Sequence, residues 1–133
     1  MKRMIPILLM MTLLLTGCAV PKPAAEANTY RQITMQEAVE MMEKEENYII
    51  LDVRTHEEFV AGHIPGAIVV PNETIGTDDI PQLPDKDQLI MVYCRSGNRS
   101  KQASDKLVKL GYTNIIEFGG INSWPGETVS GMK

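Results

Sequence analysis

The residues best suited to chemistry lie in one short segment, Tyr93-Cys94-Arg95-Ser96-Gly97-Asn98-Arg99-Ser100. An apolar stretch at 89–92 precedes this segment, and a helical pattern over 100–110 follows it. Cys94 is therefore expected where a buried strand ends, with a short polar loop leading into a helix. A helix N-terminus offers unpaired N–H groups and the positive end of the helix dipole, and both favour the thiolate over the thiol. The pattern predicts a nucleophilic sulfur at Cys94.

The same loop is a candidate anion site. Successive backbone N–H groups in such a loop can form a nest for an anion, and a guanidinium adds charge-assisted hydrogen bonds. Arg99 is the stronger cationic candidate, because the direction of the Arg95 side chain does not follow from the sequence. The side chains of Ser96 and Asn98, on either side of Gly97, would contribute to ligand specificity.

Length, composition and charge exclude several broad classes of protein. The chain has 133 residues, of which 44% are apolar, as expected for one domain with an ordinary core. Its formal net charge is −4, so a basic nucleic-acid-binding surface is not expected. Any anion site must be local, built from Arg95, Arg99 and backbone amides.

Residues 1–17 have the three parts of a secretory signal: Lys2 and Arg3, an apolar run from Ile5 to Leu15, and small residues before Cys18. This run is short for a membrane span. The sequence Leu15-Thr16-Gly17-Cys18 also resembles the bacterial lipoprotein box. That resemblance implies cleavage before Cys18, a diacylglyceryl group on its sulfur, and anchoring on the extracytoplasmic face of a membrane. A plain signal peptide or an uncleaved anchor remains the alternative.

The two cysteines then have separate roles. A Cys18–Cys94 disulfide is the usual interpretation of paired cysteines in an exported chain, but it would remove the lipid anchor. Cys94 is accordingly expected to be a free thiol. Residues 18–31, with Pro21, Pro23 and several alanines, are predicted to form the lipidated tether, and 32–131 the folded domain.

Periodicity and turn residues predict alternating strands and helices. The expected strands cover 48–53, 67–70, 89–93 and 114–118, and the expected helices cover 34–45, 55–62, 100–110 and 121–124. Residues 71–86 are interpreted as a loop with one helical turn, and Gly119-Gly120 as a sharp turn. This order favours a three-layer α/β domain around a mostly parallel sheet. In such sheets ligands bind at the carboxyl ends of strands, where Cys94 falls.

Several segments taken together resemble the rhodanese (sulfurtransferase) family. They are Leu51-Asp52-Val53-Arg54, Glu57-Glu58-Phe59, Gly62-His63-Ile64-Pro65-Gly66-Ala67, the Cys94 segment, and Gly119-Gly120-Ile121 followed by Trp124. Their order and spacing match over roughly residues 32 to 131. The resemblance implies a single-domain rhodanese fold, with Cys94 as the residue that carries sulfur.

The resemblance also implies a reaction in two halves. Cys94 thiolate attacks the outer sulfur of a donor such as thiosulfate and forms a persulfide, and cyanide or a thiol then takes that sulfur. N–H groups from Arg95 to Arg99 would hold the persulfide and the departing anion. Asp52 and Arg54 are interpreted as a hydrogen-bonded pair that braces the loop, in preference to direct substrate contact. No cofactor or metal is expected.

Three other functions are compatible with parts of the sequence. Protein tyrosine phosphatases place five residues between cysteine and arginine, whereas four separate Cys94 from Arg99, which suits a sulfur atom better than a tetrahedral phosphate. A rhodanese-fold module that carries sulfur, senses it or binds a partner without turnover is the main alternative. Thiol redox exchange would need a partner's thiol, because the mature chain lacks a resolving cysteine. Donor, acceptor and oligomeric state stay open.

Other polar residues receive structural interpretations. His63 is assigned to the scaffold, His56 to a solvated helix start, and Trp124 to the core in preference to a pocket rim. The acids Asp78, Asp79, Asp85 and Asp87 lack the spacing of a calcium-binding loop and are interpreted as a solvated face.

Overall fold

A computed structural model describes residues 29–132. Five strands form one sheet in the order β1-β5-β4-β2-β3. The strands are β1 (Arg31–Gln32), β2 (Tyr48–Asp52), β3 (Ile68–Val69), β4 (Leu89–Cys94) and β5 (Ile115–Gly120). All four pairings are parallel, so every carboxyl end lies at the same edge of the sheet. The central strand is β4, and Cys94 is its last residue.

Three helices connect the strands: α1 (Met35–Lys44), α2 (His56–Ala61) and α3 (Asn98–Lys109). The first two begin with capping boxes, in which Thr34 pairs with Glu37 and Thr55 pairs with Glu58. The N-cap of helix α3 is Gly97, which makes no side-chain capping hydrogen bond, so the first N–H groups of the helix are directed at the end of β4.

The sheet separates two hydrophobic cores, so the domain has three layers. One core joins α3, through Ala103 and Leu107, to Val92 and Cys94 of β4. The other joins α1 and α2 to the opposite face of the sheet and includes Phe59. The predicted α/β architecture is confirmed, and Cys94 is placed on the α3 side.

Several boundaries differ from those predicted. Gly119 and Gly120, predicted to form a sharp turn, instead extend β5, with Gly119 at a φ of 97° and an irregular register against β4. Helix α3 begins at Asn98 rather than Ser100. Strand β1 was not predicted, and it includes Arg31, the last residue of the expected tether. The helical turn expected within 71–86 is present as a 3-10 turn at Asn72–Thr74.

The predicted signal peptide, Cys18 and most of the tether lie outside the described residues. Within residues 29–132, no helix is long and apolar enough to cross a membrane.

Candidate active site

Cys94 is buried, with 1% of its surface exposed, and it forms no disulfide. Burial by itself raises the pKa of the thiol. A side-chain hydrogen bond between Cys94 and Ser100, together with hydrogen bonds from the backbone N–H groups of Ser100, Gly97 and Ser96, outweighs that effect, so the pKa of Cys94 lies below its ordinary value. The side chain is therefore poised to ionise, as a nucleophilic thiol requires.

Glycines on two segments shape the loop around the sulfur. The Gly97 N–H donates to Cys94 Sγ at 3.0 Å, and the φ of Gly97 is 113°, a left-handed conformation that favours glycine. On the opposite side, a Cβ built at Gly120 would lie 2.1 Å from the Arg95 carbonyl oxygen. The loop backbone can approach β5 this closely only because Gly120 has no side chain.

A buried carboxylate lies behind the sulfur. Cys94 Sγ is 3.5 Å from Ser100 Oγ, and the Ser100 hydroxyl is 2.6 Å from Glu117 Oε1. The same Glu117 oxygen accepts the Gly119 N–H at 2.8 Å. Glu117 is 3% exposed, and no cation pairs with it anywhere in the described part of the chain. Sulfur, hydroxyl and carboxylate thus form a continuous polar row between β4, α3 and β5.

Arg99, the predicted anion ligand, is already paired. Its guanidinium makes two hydrogen bonds to Glu58 of α2, at 2.6 Å and 3.0 Å. Both side chains are partly exposed at the edge of the site. The hydrogen bonds that Arg99 donates to Glu58 are the main cause that raises the pKa of its guanidinium, and the negative charge on Cys94 contributes further. Arg99 therefore lies within electrostatic range of the sulfur.

Asp52 and Arg54 form the predicted structural pair. Arg54 Nη2 donates to Asp52 Oδ2 at 2.7 Å and to the Gly62 carbonyl at 2.7 Å. The Tyr93 hydroxyl donates to Asp52 Oδ2 at 2.8 Å and accepts the Ile64 N–H at 3.1 Å. The pair therefore braces the turn after α2 and the residue before Cys94, rather than the loop that follows it.

The remaining predicted ligands surround the loop. Arg95, Ser96 and Asn98 are exposed. Arg95 lines a cavity of about 350 Å³ between α2 and the segment after β5, which Glu58 and Asn122 also line. A cavity of about 380 Å³ lies at the amino ends of β4 and β5, at the opposite edge of the sheet, and does not include Cys94.

The other polar residues have the structural surroundings expected for them. His63 is fully buried, stacks on Phe59, and has its Nδ1 atom 2.8 Å from the Phe59 carbonyl oxygen. Trp124 packs against the core that contains Phe59. His56 is exposed on the first turn of α2. Asp78, Asp79, Asp85 and Asp87 are exposed, and residues 29–132 hold no cluster of acids, histidines or cysteines that could bind a metal ion.

The sequence analysis did not assign a role in the site to three residues that contact Cys94 or its neighbours: Ser100, Glu58 and Glu117. For Glu117 a signal existed, because it is the one charged residue in the apolar strand Ile115–Gly120. For Glu58 the capping box explained the residue fully, so its second role as the Arg99 partner was not apparent.

The site consists of a thiol at the carboxyl end of the central parallel strand, followed by a short loop and a helix. We compared the chain with known protein families to find which family has this arrangement. The family model for the rhodanese-like domain matches residues 34–127, and the chain belongs to that family. Among its relatives, the protein named thiosulfate sulfurtransferase GlpE of Pseudomonas entomophila is 31% identical over 107 residues, covering 77% of this chain and 94% of the relative.

Other relatives cover smaller parts of the chain. Thiosulfate sulfurtransferase PspE of Escherichia coli is 35% identical over 71 residues, which is 53% of this chain and 68% of the relative. The chain also matches 22% of the longer adenylyltransferase and sulfurtransferase UBA4 of Candida albicans, at 37% identity. A solved structure described as rhodanese with anions from E. coli superposes with a TM-score of 0.58 at 32% identity, covering 63% of this chain and 99% of that one.

Proposed function

We propose that this protein is a sulfurtransferase that moves sulfane sulfur from a thiosulfate-like donor to cyanide or a thiol through a Cys94 persulfide. The observation that carries the proposal is the Gly97 N–H directed at Cys94 Sγ at 3.0 Å, in a loop that lowers the pKa of the thiol. The relatives named as thiosulfate sulfurtransferases support the same reaction.

In the first half-reaction, the Cys94 thiolate attacks the outer sulfur of thiosulfate. A new S–S bond forms at Cys94, the donor S–S bond breaks, and its electron pair leaves on sulfite. The backbone N–H groups of Ser96 and Gly97, which favour the thiolate, are suited to stabilise the persulfide anion as well. Arg95, which has no ion pair among the described residues, supplies positive charge that attracts the donor, and Arg99 lies beside it in its pair with Glu58.

In the second half-reaction, cyanide or a thiolate attacks the outer sulfur of the persulfide. Cys94 leaves as the thiolate, and the product is thiocyanate or a new persulfide. The thiolate is thus regenerated in the state that begins the next cycle, so this chain's own residues need no redox partner. The cavity beside Arg95 offers space for an acceptor larger than cyanide.

Intact-protein mass spectrometry of the full chain under non-reducing conditions tests this function. We expect thiosulfate to add one sulfur atom, cyanide to remove it, and Cys94→Ser to abolish it, while Cys18→Ser keeps it. A free Cys94 that gains no sulfur would reject thiosulfate as the donor. Persulfide formation without transfer to any acceptor would favour the sulfur-carrying module over the enzyme.

The proposed location is the extracytoplasmic face of a bacterial membrane, with the chain anchored by lipid on Cys18. Its support is the signal-like segment and the Leu15-Thr16-Gly17-Cys18 motif. Labelling cells with radioactive palmitate tests it. Wild type and Cys94→Ser should incorporate label, whereas Cys18→Ser should not. Equal labelling of all three proteins, or of none, would reject the anchor.

A further inference from the structure

Arg99 is the residue predicted to bind the anionic donor, but its guanidinium is already paired with the carboxylate of Glu58. Glu58 Oε1 lies 2.6 Å from Arg99 Nη1, and Glu58 Oε2 lies 3.0 Å from Arg99 Nη2. This bidentate arrangement, with each terminal nitrogen donating to one carboxylate oxygen, is also how arginine binds a sulfonate or phosphate ligand. Glu58 therefore occupies the fork that an anionic donor would use.

Hydrogen bonds from Thr55, within the same helix cap, also hold the Glu58 carboxylate in this position. The backbone N–H and the hydroxyl of Thr55 both donate to Glu58 Oε1, at 3.4 Å and 3.2 Å, in the capping box of α2. Hydrogen bonds from Arg99 lower the pKa of Glu58 to about 2, with burial opposing them and the Thr55 N–H adding to them. At neutral pH the carboxylate is a fixed negative charge at the edge of the site.

The Glu58 carboxylate strongly affects the net charge of the site, because few positive charges around the loop are unpaired. Arg54 is neutralised by Asp52, and Arg99 by Glu58. Arg95 alone, among the arginines around the described loop, has no ion pair. A donor therefore meets one uncompensated cation, Arg95, because Glu58 cancels the charge of Arg99. Each additional negative charge on the donor then gains less attraction than a free Arg99 would provide.

Building on the proposed sulfurtransferase function, we propose that Glu58 is a specificity-determining residue that disfavours dianionic sulfur donors relative to monoanionic ones. Thiosulfate and methanethiosulfonate present the same kind of sulfane sulfur but differ by one charge. In both cases a Cys94 S–S bond forms and the donor S–S bond breaks. The electron pair leaves on sulfite in the first case and on methanesulfinate in the second.

Glu58→Gln isolates the charge, because glutamine serves equally well at this position of a capping box. We expect kcat/KM for thiosulfate to rise about tenfold in this variant, and kcat/KM for methanethiosulfonate to rise by a clearly smaller factor. Glu57→Gln is the matched control. Glu57 is exposed on the same helical turn, and its substitution should leave both values unchanged.

If Glu58 instead assists donor binding, the expected change in kcat/KM has the opposite sign. If Glu58 served to position Arg99 for the donor, Glu58→Gln would lower kcat/KM for thiosulfate, and an unchanged ratio between the two donors would equally overturn the proposal. Thermal unfolding of each variant identifies any loss of folded protein.

Calorimetric titration of the full chain with sulfite and with methanesulfinate separates this proposal from the proposed function, because it needs no turnover. Glu58→Gln should bind sulfite more tightly, with a smaller gain for methanesulfinate. Absence of sulfur transfer by wild type would reject the function, whereas equal gains for the two anions would reject the role of Glu58.

Discussion

Gly120 lies directly against the backbone of Arg95, so the end of β5 forms one wall of the loop that follows Cys94. A Cβ at Gly120 would come within 2.1 Å of the Arg95 carbonyl oxygen and 2.6 Å of the Ser96 nitrogen. The Asn122 N–H also donates to the same Arg95 carbonyl, at 3.2 Å. The geometry of the proposed anion-binding loop thus depends on a residue 26 positions beyond Cys94.

Gly120→Ala should therefore displace the loop, because the clashing atoms are backbone atoms that cannot rotate away. We expect a loss of about 2 kcal/mol in the free energy of unfolding, as for other overpacked sites, and a large loss of persulfide formation. Gly76→Ala is the control, since a Cβ at Gly76 meets no atom within 4 Å. Urea unfolding and thiosulfate loading measure the two effects. A fully active Gly120→Ala variant would contradict this account of the loop.

Ser100→Ala and Glu117→Gln should shift the pKa of Cys94 in opposite directions. Loss of the Ser100 hydroxyl removes a hydrogen bond that favours the thiolate, so the pKa should rise. Glu117→Gln removes a negative charge that would repel the thiolate and weakens the competing acceptor for the Ser100 hydroxyl, so the pKa should fall.

The ultraviolet absorbance of the thiolate, followed against pH with Cys94→Ser as the blank, measures both shifts. The acidic limb of the rate of persulfide formation should move to higher pH in Ser100→Ala and to lower pH in Glu117→Gln. Shifts in the same direction would show that the row from Cys94 to Glu117 does not act as described.

Asp52→Asn should destabilise the fold more than Tyr93→Phe. Asparagine leaves the buried guanidinium of Arg54 without its counter-charge, which should cost about 3 kcal/mol. Tyr93→Phe removes a neutral hydroxyl between Asp52 and Ile64 and should cost about 1 kcal/mol. Urea denaturation compares the two. Equal costs would indicate that the charge of Asp52 contributes little.

The Glu58–Arg99 pair should make stability depend on pH in the acid range. The pKa of Glu58 falls from 4.5 to about 2 on folding, so its contribution is present above pH 4.5 and is lost as the pH falls toward 2. The difference in unfolding free energy between wild type and Glu58→Gln should be constant near neutral pH and should shrink below pH 4.5. A difference that grows on acidification would have the wrong sign. Glu57→Gln serves as the control.

Much of the fold was predictable because its signals are local. The capping boxes at Thr34 and Thr55 begin α1 and α2, and the apolar run before Cys94 corresponds to β4. Strand β1 was not predictable in this way, since two residues, Arg31 and Gln32, carry no periodicity and pair only with β5.

The site was predictable in its centre and less so at its edge. Cys94 and the loop after it could be assigned because strand, glycine and helix follow in sequence. The prediction of a turn at Gly119-Gly120 was wrong. Two consecutive glycines usually mark a turn, but here both belong to β5, and Gly120 is needed because the Arg95 backbone approaches it closely. Pairs such as Glu58 with Arg99 join residues 41 positions apart, and no local pattern announces them.

The place of Cys94 on β4 determines how the sulfur is protected. This strand is hydrogen-bonded to β2 on one side and to β5 on the other. Central strands are generally the last to open, so exchange of β4 amide hydrogens with deuterium should require unfolding of the whole domain. Thermal fluctuations at the periphery would then leave the thiol covered. The rate of Cys94 oxidation should therefore depend on whether the oxidant is small enough to reach the sulfur past the loop, and hardly at all on the frequency of local unfolding.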